Sequence, residues 1–197
     1  MSDGAAPATP VEIRVVERLL RRVDARAHEL AELARLLIAV PSANPPGEGL
    51  TQLAQLIGER LAGHDFSVVY ERALGAPGDS NAYPRSNLVA HAEGRIAGAL
   101  VHITGRLDVA AADGGPGAAG LKGALAAAVI AAETVKDELP RLPGAIELSA
   151  TADGTSGHAG GFGFLVALDY FGADRVDHVI ALETLGAKRR LILIDLS

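Results

Sequence analysis

The sequence predicts an α/β domain of three layers, with a mainly parallel central sheet covered by helices on both sides. Three observations predict it. Hydrophobic residues make up 49% of the 197 residues, enough for a sizeable core and too many for a disordered chain. Helix formers and β-branched residues occur in separate blocks. From Phe66 onward, short apolar runs alternate with helical patterns, which favours parallel strands joined by crossovers.

Residues 1–10 are small, polar and Pro-containing, and read as a disordered tail ahead of a single domain over 11–197. Between Val11 and Val40, Val16, Leu19, Leu20, Val23, Leu30, Leu33, Leu36 and Leu37 recur at helical spacing, giving one long helix or two in succession. Pro41 ends that pattern, and 41–49 is a Pro- and Gly-rich loop. A second helix is predicted over 50–61. Strands are predicted over 66–70, 87–91 and 99–104, then an irregular loop over 106–120. A helix over 121–135 is apolar nearly all round and hence buried. A strand over 145–150, a polar loop over 153–160, a helix over 161–171 and strands over 178–182 and 191–194 complete the order. Loops leaving the carboxyl ends of parallel strands form the site in such folds. Three qualify here: 105–120, 153–160 and 183–188.

Composition excludes several functions. A net charge of −6 argues against a general nucleic-acid binder. The basic group Arg14, Arg18, Arg21, Arg22 and Arg26 is interleaved with Glu12, Glu17 and Asp24 and reads as a solvated helix face. With no cysteine, disulfides and thiolate metal sites are excluded. Neither a secretion signal nor a membrane-length apolar stretch is visible, so a cytoplasmic protein with no membrane partner is expected.

Four segments carry a family likeness. The run from Leu36 to Gly49, containing Pro41-Ser42-Ala43-Asn44-Pro45-Pro46-Gly47, is the first. Asn87-Leu88-Val89-Ala90 with Gly105-Arg106-Leu107-Asp108-Val109 is the second, and Gly117 to Gly123 the third. Thr151 to Gly157 with Glu183-Thr184 is the fourth. In this order they resemble the zinc aminoacylase and metallopeptidase family that includes acetylornithine deacetylase, succinyl-diaminopimelate desuccinylase and glutamate carboxypeptidase. The likeness covers residues 28 to 186 or so.

The resemblance implies that family's catalytic domain without its lid or dimerisation domain. It also implies a metal site that has lost its ligands. Arg106 stands at the first His position, and guanidinium has no free lone pair for zinc. Gly120 stands at the bridging Asp, and Gly154 and Thr155 at the paired Glu residues that serve as base and ligand. Glu183 alone matches a metal ligand. The expectation is therefore no metal and no other cofactor. Asp108, which in the family orients the neighbouring His, is kept. Two residues apart on a strand, Arg106 and Asp108 would share a face, as a structural ion pair or with Arg106 free to bind an anion. Lys122 sits where the family also has Lys. Thr155, His158 and Glu183 complete the candidate ligand- or partner-contacting residues. No Ser–His–Asp arrangement can be read from the spacing.

The resemblance further implies that the chain stops near where the family's inserted domain begins, leaving apolar surface uncovered at 191–194 and on the helix over 121–135. A second copy or a different subunit would cover it. The leading expectation is a non-hydrolytic subunit of a heteromeric complex in specialised amino-acid or natural-product biosynthesis. The small partner subunit of an aziridine-forming synthase would be one case. The alternatives are a stand-alone module that binds an amino-acid-type small molecule, and an enzyme with metal-free chemistry in the same cleft.

Overall fold

The structure is a computed structural model, and it describes residues 10–75, 78–110, 116–141, 143–152, 176–183 and 190–195. The N-terminal helical pattern divides into α1 (Pro10–Ala25) and α2 (Ala27–Ala39). The break falls at Arg26, whose ψ of 13° leaves the helical range. Proline suits the first position of α1, where its missing N–H has no helical partner to lose. Then follow β1 (Ala43–Asn44), α3 (Leu50–Gly63), β2 (Ser67–Arg72), β3 (Ser86–Glu93), β4 (Ile96–Arg106) and β5 (Val109–Ala110). The order ends with α4 (Pro116–Lys136), β6 (Pro143–Thr151), β7 (His178–Glu183) and β8 (Arg190–Asp195). The expected helix over 161–171 and loop over 153–160 lie outside the described residues, as do residues 1–9 of the tail expected over 1–10, while its last residue, Pro10, begins α1.

Six strands form one sheet in the order β2-β3-β6-β4-β7-β8. Its centre, β6-β4-β7, is parallel, while β2-β3, β3-β6 and β7-β8 are antiparallel. The α/β class holds, with the parallel part confined to the middle. β4, α4 and β6 make a strand–helix–strand crossover. Helices α3 and α4 cover one face. Leu88, Ala90, Ile103, Ile146, Leu148 and Ala150 from the sheet pack there with Leu53, Ile57 and Leu61 of α3 and Leu125, Val129 and Ile130 of α4. Gly105 permits the close approach of α4. A Cβ there would sit 2.8 Å from Leu125 Cδ2.

The expected uncovered surface on the 121–135 helix is not found. Leu121, Leu125, Ala126, Val129, Ile130 and Ala132 are all buried, because α2 packs along α4 and brings Leu33 and Leu37 into the same core. The side chains of 191–194 lie outside the described set. The basic group on α1 is not simply solvated either. Arg18 and Arg22 bind the buried Glu138 at 2.7 and 2.5 Å, and Arg22 also binds Asp137 at 2.6 Å. Arg26 pairs with Glu29 at 2.8 Å and with Glu133. Arg14 and Arg21 remain exposed. Charge thus docks one side of α1 onto the end of α4, and leaves Ile13, Val16 and Leu20 exposed on the other side by 47%, 53% and 59%. No helix among the described residues is long and apolar enough to cross a membrane.

Candidate functional site

β4, β6 and β7 run parallel, so their carboxyl ends meet at one edge of the sheet. β4 ends at Arg106, which is paired in register with Thr151 at the end of β6. The chain then bends at Leu107, whose N–H donates to Thr151 O at 2.7 Å. Val109 N–H donates to Ser42 O at 3.0 Å, and β5 pairs with β1 as a separate two-stranded ribbon. This bend corrects the sequence expectation. Arg106 and Asp108 are not on one continuous strand, and no ion pair forms between them. Asp108, fully buried, instead accepts from Asn44 Nδ2 at 3.2 Å. Asn44 Oδ1 in turn accepts from Arg85 Nη2 at 2.9 Å.

Arg85 is 2% exposed and lies between two glycines of positive φ, Gly47 (87°) and Gly78 (83°). A Cβ at Gly47 would fall 1.8 Å from Arg85 Nη1. Replacing Gly47 with Ala should therefore cost about 2 kcal/mol, combining left-handed backbone strain with displacement of a buried cation. A urea unfolding curve checks this, and an unchanged midpoint would refute it. The Arg85–Asn44–Asp108 chain was not predicted. Its one sequence signal was the Asn44-Pro45-Pro46-Gly47 turn.

Lys122 is buried, and its Nζ donates to Val40 O. Burial holds this ammonium below the ordinary lysine range. It therefore ties α4 to the end of α2 rather than facing solvent. Glu183 closes β7 in register with Arg190, its side chain being outside the described set. Thr155 and His158 lie outside the described residues. The structure thus brings Arg106, Asp108 and Lys122 to one end of the sheet, but joins none of them directly to another.

The sheet's second face carries a polar grid. His102 and His91 point to Glu147 from the strands on either side of it. His102 Nδ1 lies 2.9 Å from Oε1, and His91 Nδ1 lies 3.2 Å from Oε2. Burial pushes the Glu147 carboxyl up, but hydrogen bonds from His102 and His91 and their charge outweigh that and bring it to about 2. On its other side, His102 Nε2 lies 2.9 Å from Ser149 Oγ, which donates to Thr104 Oγ1 at 2.8 Å.

Glu147, His102 and Ser149 have the connectivity of a charge-relay triad that the sequence did not reveal, since its members lie 45 and 47 residues from His102. The surroundings oppose catalysis. Ser149 is fully buried. Its hydroxyl hydrogen is directed to Thr104, and its strand is paired on both sides, so its backbone cannot form an oxyanion hole. The signal that could have found this grid is polar residues at period two, His102-x-Thr104-x-Arg106 and Glu147-x-Ser149-x-Thr151.

The residues at the strand ends do not fit a di-zinc centre. Arg106 repels a cation, Gly120 offers no donor, and Asp108 is already bonded to Asn44. Among the described residues no three His, Asp or Glu side chains are grouped to hold a metal ion.

No family model matches the chain, and no curated protein does. Solved structures do. The dipeptidase Dug1p of Saccharomyces cerevisiae superposes with a TM-score of 0.68 at 16% identity, over 86% of this chain and 42% of its own. The dinuclear metal-binding YXEP peptidase of the M20 family from Bacillus subtilis gives 0.56 at 11% identity, over 82% and 44%. The glutaminyl cyclase of Porphyromonas gingivalis gives 0.56 at 14%, over 81% and 61%. The chain has a metallopeptidase-like fold. It spans less than two thirds of the length of each of these structures. At this identity the likeness speaks for the fold alone.

Proposed function

We propose that the chain is a non-hydrolytic, metal-free subunit of a heteromeric complex in specialised amino-acid or natural-product biosynthesis. The observation that carries the reading is Arg106. A side chain that cannot ligate zinc ends the central strand, with its Nε buried and without an acceptor. Two further observations support it. The fold's named neighbours include a dipeptidase and a glutaminyl cyclase, so the scaffold is compatible with chemistry other than hydrolysis. The exposed stripe Ile13, Val16 and Leu20 offers an apolar helix face to a partner. The unpartnered donor on Arg106 also favours the second reading, a stand-alone module that binds a small anionic ligand.

Metal content tests the first half of the proposal. Chain purified in excess zinc and then dialysed should retain far less than one zinc per chain and should not hydrolyse N-acyl amino acids or dipeptides. Two tightly held zinc ions with hydrolytic turnover would overturn it. For the second half, the combined variant Ile13→Glu, Val16→Glu, Leu20→Glu should fold normally but lose the protein that accompanies the wild-type chain from its native source. Unchanged co-purification would remove α1 as the interface.

A further inference from the structure

We propose that the end of the sheet formed by Asn87, Thr151 and Arg106 is a binding site for a small oxyanion, a carboxylate or a phosphate. The register sets the three residues side by side. Arg106 pairs with Thr151, and the pairing of Leu88 with Ala150 puts Asn87 next to Thr151 across the β3–β6 ladder. All three therefore lie on the polar face, away from α3 and α4. Adjacent strands are about 4.8 Å apart, so Asn87 and Arg106 stand about 10 Å apart at their Cα atoms, a gap that an oxyanion held by two inward-reaching side chains spans.

The unsatisfied atoms decide the sign of the ligand. Asn87 is fully buried, and its Oδ1 already accepts from Ala152 N–H at 2.8 Å. Its Nδ2 is buried without an acceptor, and so is Arg106 Nε. Arg85 Nε and Nη1, just ahead of β3, and the Ser42 hydroxyl beside β5 are buried and unpartnered as well. Every one of these atoms can donate, and none is an orphaned carbonyl or carboxylate oxygen. A cation would leave Asn87 Nδ2 and Arg106 Nε unsatisfied, whereas an anion between them accepts from both. The carboxylates within reach along the fold are otherwise engaged. Glu147 accepts from two histidines, and Asp108 accepts from Asn44. Buried Arg85, just ahead of β3, adds positive charge at the same end.

The site goes beyond the subunit reading and does not need it, because anion binding is measured on the chain alone. The test is a titration of the full chain with sodium phosphate and, separately, sodium acetate, at constant ionic strength held by sodium chloride, followed by 15N NMR of arginine Nε–H groups. One resonance, absent from Arg106→Lys, should move downfield and saturate with a millimolar Kd. The melting temperature should rise with the same midpoint, and Arg106→Gln should weaken that midpoint at least tenfold. The anion that saturates at lower concentration assigns the site to a carboxylate or a phosphate group. Absence of a saturable shift with either anion overturns the proposal, as does a rise in melting temperature that is equal in Arg106→Gln. If Arg106→Gln does not fold, the wild-type Nε–H titration decides alone.

Discussion

Replacing Glu133 with Gln should destabilise the protein by about 3 kcal/mol, the low end of what breaking a buried ion pair costs. Glu133 is completely buried on α4. Its Oε1 accepts from Arg60 Nε of α3 at 2.6 Å, and its Oε2 accepts from Arg60 Nη2 at 2.9 Å and from Arg26 at the α1–α2 break. His64 Nε2 lies 3.5 Å from the same oxygen. One carboxylate therefore joins three helical segments. The two guanidiniums are partly exposed, at 16% and 27%. Water can recover part of their solvation, which places the expected loss at the low end. The contact with Arg26 raises that guanidinium further above its usual value, where the hydrogen bond to Glu29 is the largest contribution. Chemical denaturation of Glu133→Gln reads the effect, and a loss under about 1 kcal/mol would show that the cluster behaves as a surface network.

The second large effect is on pH dependence. The Glu147 carboxyl is brought from 4.5 to about 2, and a depression of that size corresponds to about 3 kcal/mol of stability. Because the folded-state value lies below the unfolded one, this contribution is present in full above about pH 4.5. It fades as pH falls toward 2, once folded and unfolded chains are both protonated. Wild type should accordingly lose stability steeply between pH 4.5 and 2, and Glu147→Gln should lose less over that interval while starting lower at neutral pH. Parallel curves for the two proteins would assign the acid sensitivity to other carboxylates. Glu138 is among the candidates, since burial raises its carboxyl while Arg22 and Arg18 lower it, with a net fall.

The elements that periodicity encodes were legible in the sequence. Leu53, Ile57 and Leu61 mark one stripe of α3, and the Ala-rich run around Leu125 and Val129 announced a buried α4. What periodicity cannot encode was missed. β1 and β5 are two residues each, too short to show alternation. Yet their pairing bends the chain at Leu107 and separates Asp108 from Arg106. The antiparallel partner of β6 is β3 rather than a strand next to it in sequence. The pairing of Arg26 with Glu133 spans 107 residues, so the arginines of α1 and of the break after it read as a solvated face in the sequence, where nothing places α4 against them. At the strand ends, residue identity made Arg106 conspicuous. Nothing local signalled that Asn87 and Thr151 would share its row, since that depends on register alone.

Glu147 also bears on how the chain finds its fold. Sliding β4 against β6 by one residue would turn its side chains to the opposite face, and burial forbids that strongly. Sliding by two keeps every side chain on its proper face, so hydrophobic sorting does not oppose it. Such a slip would set Leu100 or Thr104 opposite Glu147 in place of His102, and would part a buried carboxylate from one of its two imidazoles, leaving only His91. The polar rung therefore acts as a registration mark for two parallel strands that no tight turn holds in step.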